Sequence, residues 1–439
     1  MKEISLNELA SLRDAYLKDD KARVVRNALT ENDITTISKV FDAQAKTPHI
    51  FSIDLKTLPV TNQMQSGRCW IFSSMNVLRE MIAKKYEIKN FELSQNYIAF
   101  YDKLEKANWF MECIIAEADQ PLNGENNRFL LQWAVGDGGQ WNMVQSLVEK
   151  YGICPKTAMP ETYQSSHTRG MNALLNKRLR KFAVDARKTD KADLEALKEQ
   201  ALKEIYGLIA SCFGVPPMEF TFEYYDKNDV AHAEYHVTPM DFYHQYLGAD
   251  LKDYINVING PTADKPYHHL YTVKYLGNVV NGHRIELLNL PMDEFKKAAL
   301  AQLKDGEPVW FGCDCGKFSQ RALGVWDDKA FDYENTFDLD LNMTKAEMLD
   351  SGESAMNHAM VLTCVNLDEN GQPDRWKIEN SWGDKVADKG YYVASDSWFD
   401  KFVYVVAVNK KYLSEEALAA LKEEPKELAP WDPFGTLAD

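Results

Sequence analysis

Apolar positions recur with a helical period in some stretches of this chain and alternate or cluster as in strands in others. Between Cys69 and Tyr86, Trp70, Phe72, Met75, Leu78, Met81 and Ile82 repeat at helical spacing, with Ser73, Asn76 and Arg79 among them. No Pro or Gly interrupts this run, whereas Pro59 and Gly67 punctuate the segment before it, so a helix is predicted to begin at Cys69. The stretch from Asn172 to Ile209 reads as helix through Leu175, Leu179, Phe182, Leu194, Leu197, Ala201 and Ile205, with Lys and Glu on the other faces. Residues Ser5 to Phe41 are also helix-like, and Ser414 to Lys422 form a short amphipathic segment. Strand signals concentrate later. Phe220 to Tyr225 and Ala233 to Val237 flank the turn-like Asp226-Lys227-Asn228-Asp229 and predict a hairpin. Pro308 to Phe311, Met360 to Val365, Arg375 to Glu379, Tyr391 to Ala394 and Val403 to Val408 read as strands of one sheet. The class is α+β.

Composition narrows the possible partners. With 439 residues, 45% hydrophobic and 26% charged, the chain has ample material for a core. A net charge of −16 argues against nucleic acid and anionic membranes as partners. The N-terminus lacks the apolar stretch of a signal peptide, and no window approaches the length of a membrane span, so a cytoplasmic location is expected. Seven scattered cysteines do not make a disulfide framework.

The candidate chemistry lies at Cys69. A cysteine in the first turn of a helix meets unpaired N–H groups and the positive end of the helix dipole, which favour a thiolate. Gln63 precedes it with enough loop to fold back, so its amide and the Cys69 N–H can form an oxyanion hole. Far downstream, His358 precedes one predicted strand and Asn380 follows another. A thiol, an imidazole, an amide to orient it and a second amide for an oxyanion are the parts of a cysteine hydrolase. A lone buried cysteine is ordinarily an inert small hydrophobe; the combination reverses that reading. His232 and His236, the pair His268-His269, and Cys313-Asp314-Cys315 lack metal-site spacing and read as ordinary structural residues.

Ser66-Gly67-Arg68-Cys69-Trp70, Gly138-Gly139-Gln140-Trp141, His358-Ala359-Met360 and Asn380-Ser381-Trp382-Gly383 resemble the papain superfamily. Gly352-Glu353-Ser354-Ala355-Met356, Tyr391 to Asp396 and the tail Ala429-Pro430-Trp431-Asp432-Pro433-Phe434-Gly435 narrow the resemblance to the aminopeptidase C / bleomycin hydrolase family. It implies a papain-like two-lobe fold, with a helical lobe, a β-barrel-like lobe, and helical and hairpin insertions. The cysteine-to-histidine interval, from position 69 to 358, exceeds the about 130–150 residues of papain-like chains, so a large insertion is expected. Where secreted relatives of papain carry a disulfide beside the nucleophile, this chain has Ser66 and Gly136. One catalytic unit spans 1–439. Within it, 1–50 is an N-terminal helical segment, 51–160 the helical lobe and 161–300 an insertion of helices and hairpin serving assembly. Residues 301–412 form the β-rich lobe with His358 and Asn380, and 413–439 a C-terminal helix and tail.

The resemblance further implies a hexamer, peptide substrates and no metal or organic cofactor. Cys69 attacks, His358 moves the proton, Asn380 orients it, Gln63 holds the oxyanion and Trp382 shields the His–Asn bond. Gly138 and Gly139 offer backbone to substrate. Trp431 and Phe434 are poor residues for a solvated end, and Pro430, Pro433 and Gly435 preclude a regular helix, so an extended tail is expected. In the resembled family that tail lies in the cleft and its terminal carboxylate pairs with the substrate amine, which points to Ala438 and Asp439. Three readings stay open: an aminopeptidase, an endopeptidase with an unblocked cleft, and an inactive binding scaffold.

Overall fold

The computed structural model describes residues 1–438, with the backbone only at 44–46. In chain order the strands are β1 (Ile53–Asp54), β2 (Phe220–Tyr225), β3 (Ala231–Val237), β4 (Tyr254–Ile258), β5 (His269–Val273), β6 (Leu287–Asn289), β7 (Val309–Cys313), β8 (Ser319–Gln320), β9 (Val325–Trp326), β10 (His358–Leu367), β11 (Pro373–Glu379), β12 (Tyr391–Ser395), β13 (Val403–Asn409) and β14 (Lys426–Leu428). Among the described residues β2 and β3 form a separate hairpin, and the others build one sheet ordered β14-β5-β6-β4-β13-β7-β10-β11-β12-β9-β8, with β1 added on β10. The pairings run as an open path.

The central strands are apolar on both sides because both faces of the sheet are covered. Tyr404, Val405 and Ala407 of β13, Trp310 of β7 and Ala359 and Val361 of β10 face a core shared with the Cys69–Tyr86, Gln95–Ala116 and Trp141–Tyr151 helices. Val406 and Val408, Phe311, and Met360 and Leu362 face a second core under the Met292–Lys304 and Asp396–Phe402 helices. Strand period 2 sorts the two cores, with an irregularity in β13 that puts the neighbours Tyr404 and Val405 in the same one.

Three expectations need correction. The stretch 161–300 is more than helices and a hairpin: β4, β5, β6 and most of the Met292–Lys304 helix lie inside it and join the central sheet. The helix expected over Asn172 to Ile209 is two, Arg169–Ala186 and Leu194–Phe213. Side chains compete for the first helix's last carbonyls: Arg187 Nη1 donates to Ala183 O at 3.0 Å and Thr189 Oγ1 to Asp185 O at 2.9 Å. The tail is not extended but coils into a 3₁₀ turn at Pro433–Ala438. Asp432 starts it, its carboxylate accepting from Phe434 N at 3.0 Å and its carbonyl from Gly435 N at 2.9 Å. No helix among the described residues is long and apolar enough to cross a membrane.

Candidate active site

Cys69 opens the Cys69–Tyr86 helix and is 5% exposed. The loop before it is tightly held. Buried Arg68 forms a two-pronged bond to Glu161, at 2.7 and 3.2 Å, and its Nε donates to Ser66 Oγ. His358 is the first residue of β10, and the N–H of the next residue, Ala359, donates to Cys69 Sγ at 3.4 Å. Asn380 follows the last residue of β11, the neighbour of β10, so strand pairing delivers it to His358. His358 Nε2 and Asn380 Oδ1 are 2.9 Å apart, and Ser381 N donates to the same oxygen at 2.8 Å. An amide oxygen only accepts, so Nε2 carries the proton and Nδ1 keeps its lone pair. Trp382 stacks on the imidazole, centroids 5.0 Å apart, and the Arg321 guanidinium lies 3.8 Å from the centroid of Trp382.

Gln63 is tied to the same loop. Its N–H donates to Ser381 O at 2.9 Å, the Ser381 hydroxyl donates to its Oε1, and its Nε2 donates to Ser66 O at 2.6 Å. The Ser66 carbonyl, which only accepts, thus fixes which end of the amide is the donor, leaving one Nε2 proton for another acceptor.

Burial pushes the Cys69 thiol up to about 11, against the pull of the Ala359 and Trp70 N–H groups and with the push of the Asp137 charge. Burial likewise presses His358 down to about 4, aided by Arg321 and opposed by the Asn380 bond. Desolvation and the backbone N–H groups thus act on the thiol in opposite directions. Moving the thiol proton to Nδ1 creates two charges that stabilise each other, so thiolate and imidazolium form together.

Gly139 packs where a Cβ would lie 2.5 Å from the Trp70 indole. Its N–H donates to Leu437 O at 3.0 Å, and Lys106 Nζ donates to Gly138 O. The other side of the tail is anchored by Thr436 Oγ1, which donates to Met356 O at 2.9 Å, two residues before His358. Phe434 and Leu437 are buried, and Lys265 pairs with Asp432 at 3.2 Å. The coiled tail thus bridges the Gly138-Gly139 loop and the approach to β10, ending at half-buried Ala438. Asp439 lies outside the described residues.

Asp137 was not singled out from sequence. Its carboxylate accepts from Gly67 N at 2.9 Å, Asn172 Nδ2 at 2.8 Å and the Thr168 hydroxyl, and pairs with fully buried Lys103 at 2.6 Å. Its carbonyl accepts from Trp70 Nε1 at 2.6 Å. Burial alone pushes this carboxyl up, but the Lys103 charge and the hydrogen bonds together hold it far below the usual carboxylate range. It ties the loop before Cys69 to the Gly136–Gly139 loop, the place where the sequence lacks a bridge of cysteines. The one signal was an acid inside a glycine-rich run. Ser381 was visible in its motif without a role, and Arg321 carried no signal.

The remaining histidines make their own contacts, whereas Cys313 sits opposite His358 in the β7–β10 pairing and Cys315 N donates to Asn357 Oδ1. His232 meets Asp226 and His236 meets Glu219 on the hairpin, while His268 meets Glu294. Asp314, between Cys313 and Cys315, accepts from Ser354 Oγ and Asn357 Nδ2. Among the described residues no group of three or more His, Cys, Asp or Glu is arranged to hold a metal ion.

The profile of the Peptidase C1-like family matches residues 3–435. The chain belongs to this family. Within it, the chain is 46% identical over 438 residues to aminopeptidase C of Listeria monocytogenes serovar 1/2a, covering 99% of both chains. It is 45% identical to aminopeptidase C of Streptococcus thermophilus, covering 100% of both, and 42% identical to aminopeptidase G of Lactobacillus delbrueckii subsp. lactis, covering 98% and 99%. The crystal structure of PepW from Lactobacillus rhamnosis HN001 superposes with a TM-score of 0.96 at 48% identity, covering 98% of both chains. This Peptidase C1-like chain is a cysteine-type peptidase with a papain-like α+β fold.

Proposed function

We propose that the chain is an aminopeptidase that releases N-terminal residues by acyl transfer through Cys69. His358 takes the thiol proton on Nδ1, the thiolate attacks the scissile carbonyl, and the imidazolium returns the proton to the leaving amine. The free Nε2 proton of Gln63 and the Cys69 N–H receive the oxyanion. Water then cleaves the thioester with His358 as base. The helical and β-rich halves serve as two lobes flanking the tail.

The observation carrying the aminopeptidase reading is the Gly139 N–H on Leu437 O. A backbone donor beside the Cys69 helix, suited to a substrate strand, is occupied by the chain's own end. The tail takes up that side of the cleft, and in this reading its terminal carboxylate meets the substrate's free amine. The endopeptidase reading has no such support. Matched peptides with free and acetylated N-termini test it. The free-amine peptide should be cleaved at least about tenfold faster, the worth of one charge-assisted contact. Equal rates, or cleavage first at internal bonds, would reject the exopeptidase assignment.

Self-association is part of the same proposal. The Leu6–Leu17 and Asp20–Leu29 helices bury none of their residues within the chain, and Ile4, Leu6, Leu9, Leu12 and Tyr16 stand exposed. Such a face suits an interface; the number six rests on the resemblance alone. Sedimentation equilibrium should give a multiple of the 50.2 kDa chain, and a monomer at micromolar concentration would dismiss the assembly.

A further inference from the structure

Arg321 is an exposed cation with no carboxylate partner among the described residues. That is unusual here, since net charge is −16 and most cations around the site are paired: Arg68 with Glu161, Lys103 with Asp137, Lys106 with Asp102, Lys265 with Asp432. Its guanidinium instead lies over Trp382, 3.8 Å from the ring centroid, with the Tyr392 hydroxyl as a neighbour. Trp382 is the residue stacked on His358.

This position matters because the two ends of the cleft are chemically distinct. The tail, bound to Gly139 and Met356, marks the side that holds the residue to be released. The leaving amine must touch His358 to receive its proton, so the rest of the peptide departs along the wall that His358 and Trp382 share. Arg321 stands on that wall. The separations of 3.8 Å and 5.0 Å together bound its distance from the imidazole, and extended chain covers that span with no more than about three residues at about 3.3 Å each.

We infer that Arg321 binds the C-terminal carboxylate of short leaving peptides, making di- and tripeptides with a free carboxyl end the preferred substrates. The inference rests on the aminopeptidase reading above. A guanidinium held over an indole by its central carbon keeps edge N–H groups available for a planar carboxylate. The contact is made equally by bound substrate and transition state, so it acts on KM.

The test compares alanyl-alanine, alanyl-alanine amide and an alanyl arylamide, for the wild type and for Arg321→Gln, Arg321→Lys and Arg321→Glu. In the wild type, kcat/KM for the dipeptide should exceed that for its amide by about tenfold, mainly through KM. Arg321→Gln should bring the ratio near one, Arg321→Lys should keep part of it, and Arg321→Glu should invert it. The inference is overturned by a wild-type ratio of one, or by an Arg321→Gln enzyme that loses the same factor on all three substrates, for then the residue serves only Trp382 and His358. Failure of the wild type on every free-amine substrate would instead sink the aminopeptidase reading, and this inference with it.

Discussion

Cys69→Ala is expected to abolish peptide hydrolysis, by a factor of about 10⁵–10⁶, while the protein stays folded. The loss is that large because oxyanion donors, imidazole and substrate contacts act through the sulfur and have nothing to stabilise without it. The fold survives because removing one sulfur from a well-packed helix start costs on the order of 1 kcal/mol. Alkylation provides the second readout. All seven cysteines are free, and burial pushes each thiol up. Cys69, whose Sγ accepts from the N–H next to His358, is the thiol that the proposed mechanism pairs with that base. Iodoacetamide near neutral pH should therefore mark Cys69 first by mass spectrometry, and His358→Ala should remove that preference. Slow labelling spread over several cysteines would refute the assignment.

Deleting Leu437 to Asp439 should change the reaction from trimming ends to cutting within chains. The truncation removes Leu437 O from Gly139 N and empties the side of the cleft that the tail fills. Free-amine peptides lose their anchoring charge, which predicts a fall of about 10- to 100-fold in kcat/KM, equivalent to about 1.5–3 kcal/mol. N-acetylated and longer peptides gain a continuous groove and should become substrates, with product masses showing internal cleavage. A truncated enzyme that keeps its full preference for free amines would show that another acid, and not the tail, binds the amine. Phe434, buried against Tyr271, lies outside the deleted stretch and should keep the rest of the tail docked.

The sequence showed β7, β10, β12 and β13 because their residues are apolar on both faces, and β11 because Trp376 and Ile378 alternate with Arg375, Lys377 and Glu379. It did not show β4, β5 and β6, which are short and carry Asn256, Thr272 and Asn289 at buried positions. Those polar side chains break the pattern, and Asn289 is satisfied inside, its Nδ2 donating to Gly260 O and Lys265 O. The Gln95–Ala116 helix was hidden for a related reason. It buries Asp102, Lys103, Glu105 and Lys106, charges that a linear reading places on the surface. In the site, Gln63, Cys69, His358 and Asn380 were legible because each sits in a short motif. The Asp137 contacts were not, because they join positions 67, 103, 137, 168 and 172, and such an arrangement exists only after folding.

One consequence of the Asp137 junction concerns the solution conditions a thiol enzyme needs. A working Cys69 must be kept from oxidation, and the reductants that protect it also cleave disulfides. Here the strap between the loop before Cys69 and the glycine loop is made of a carboxylate, an ammonium and amide hydrogens. Reducing agents have nothing to cut in it, and its burial shields it from salt. The same dose of thiol that restores an oxidised nucleophile therefore leaves the geometry around that nucleophile untouched.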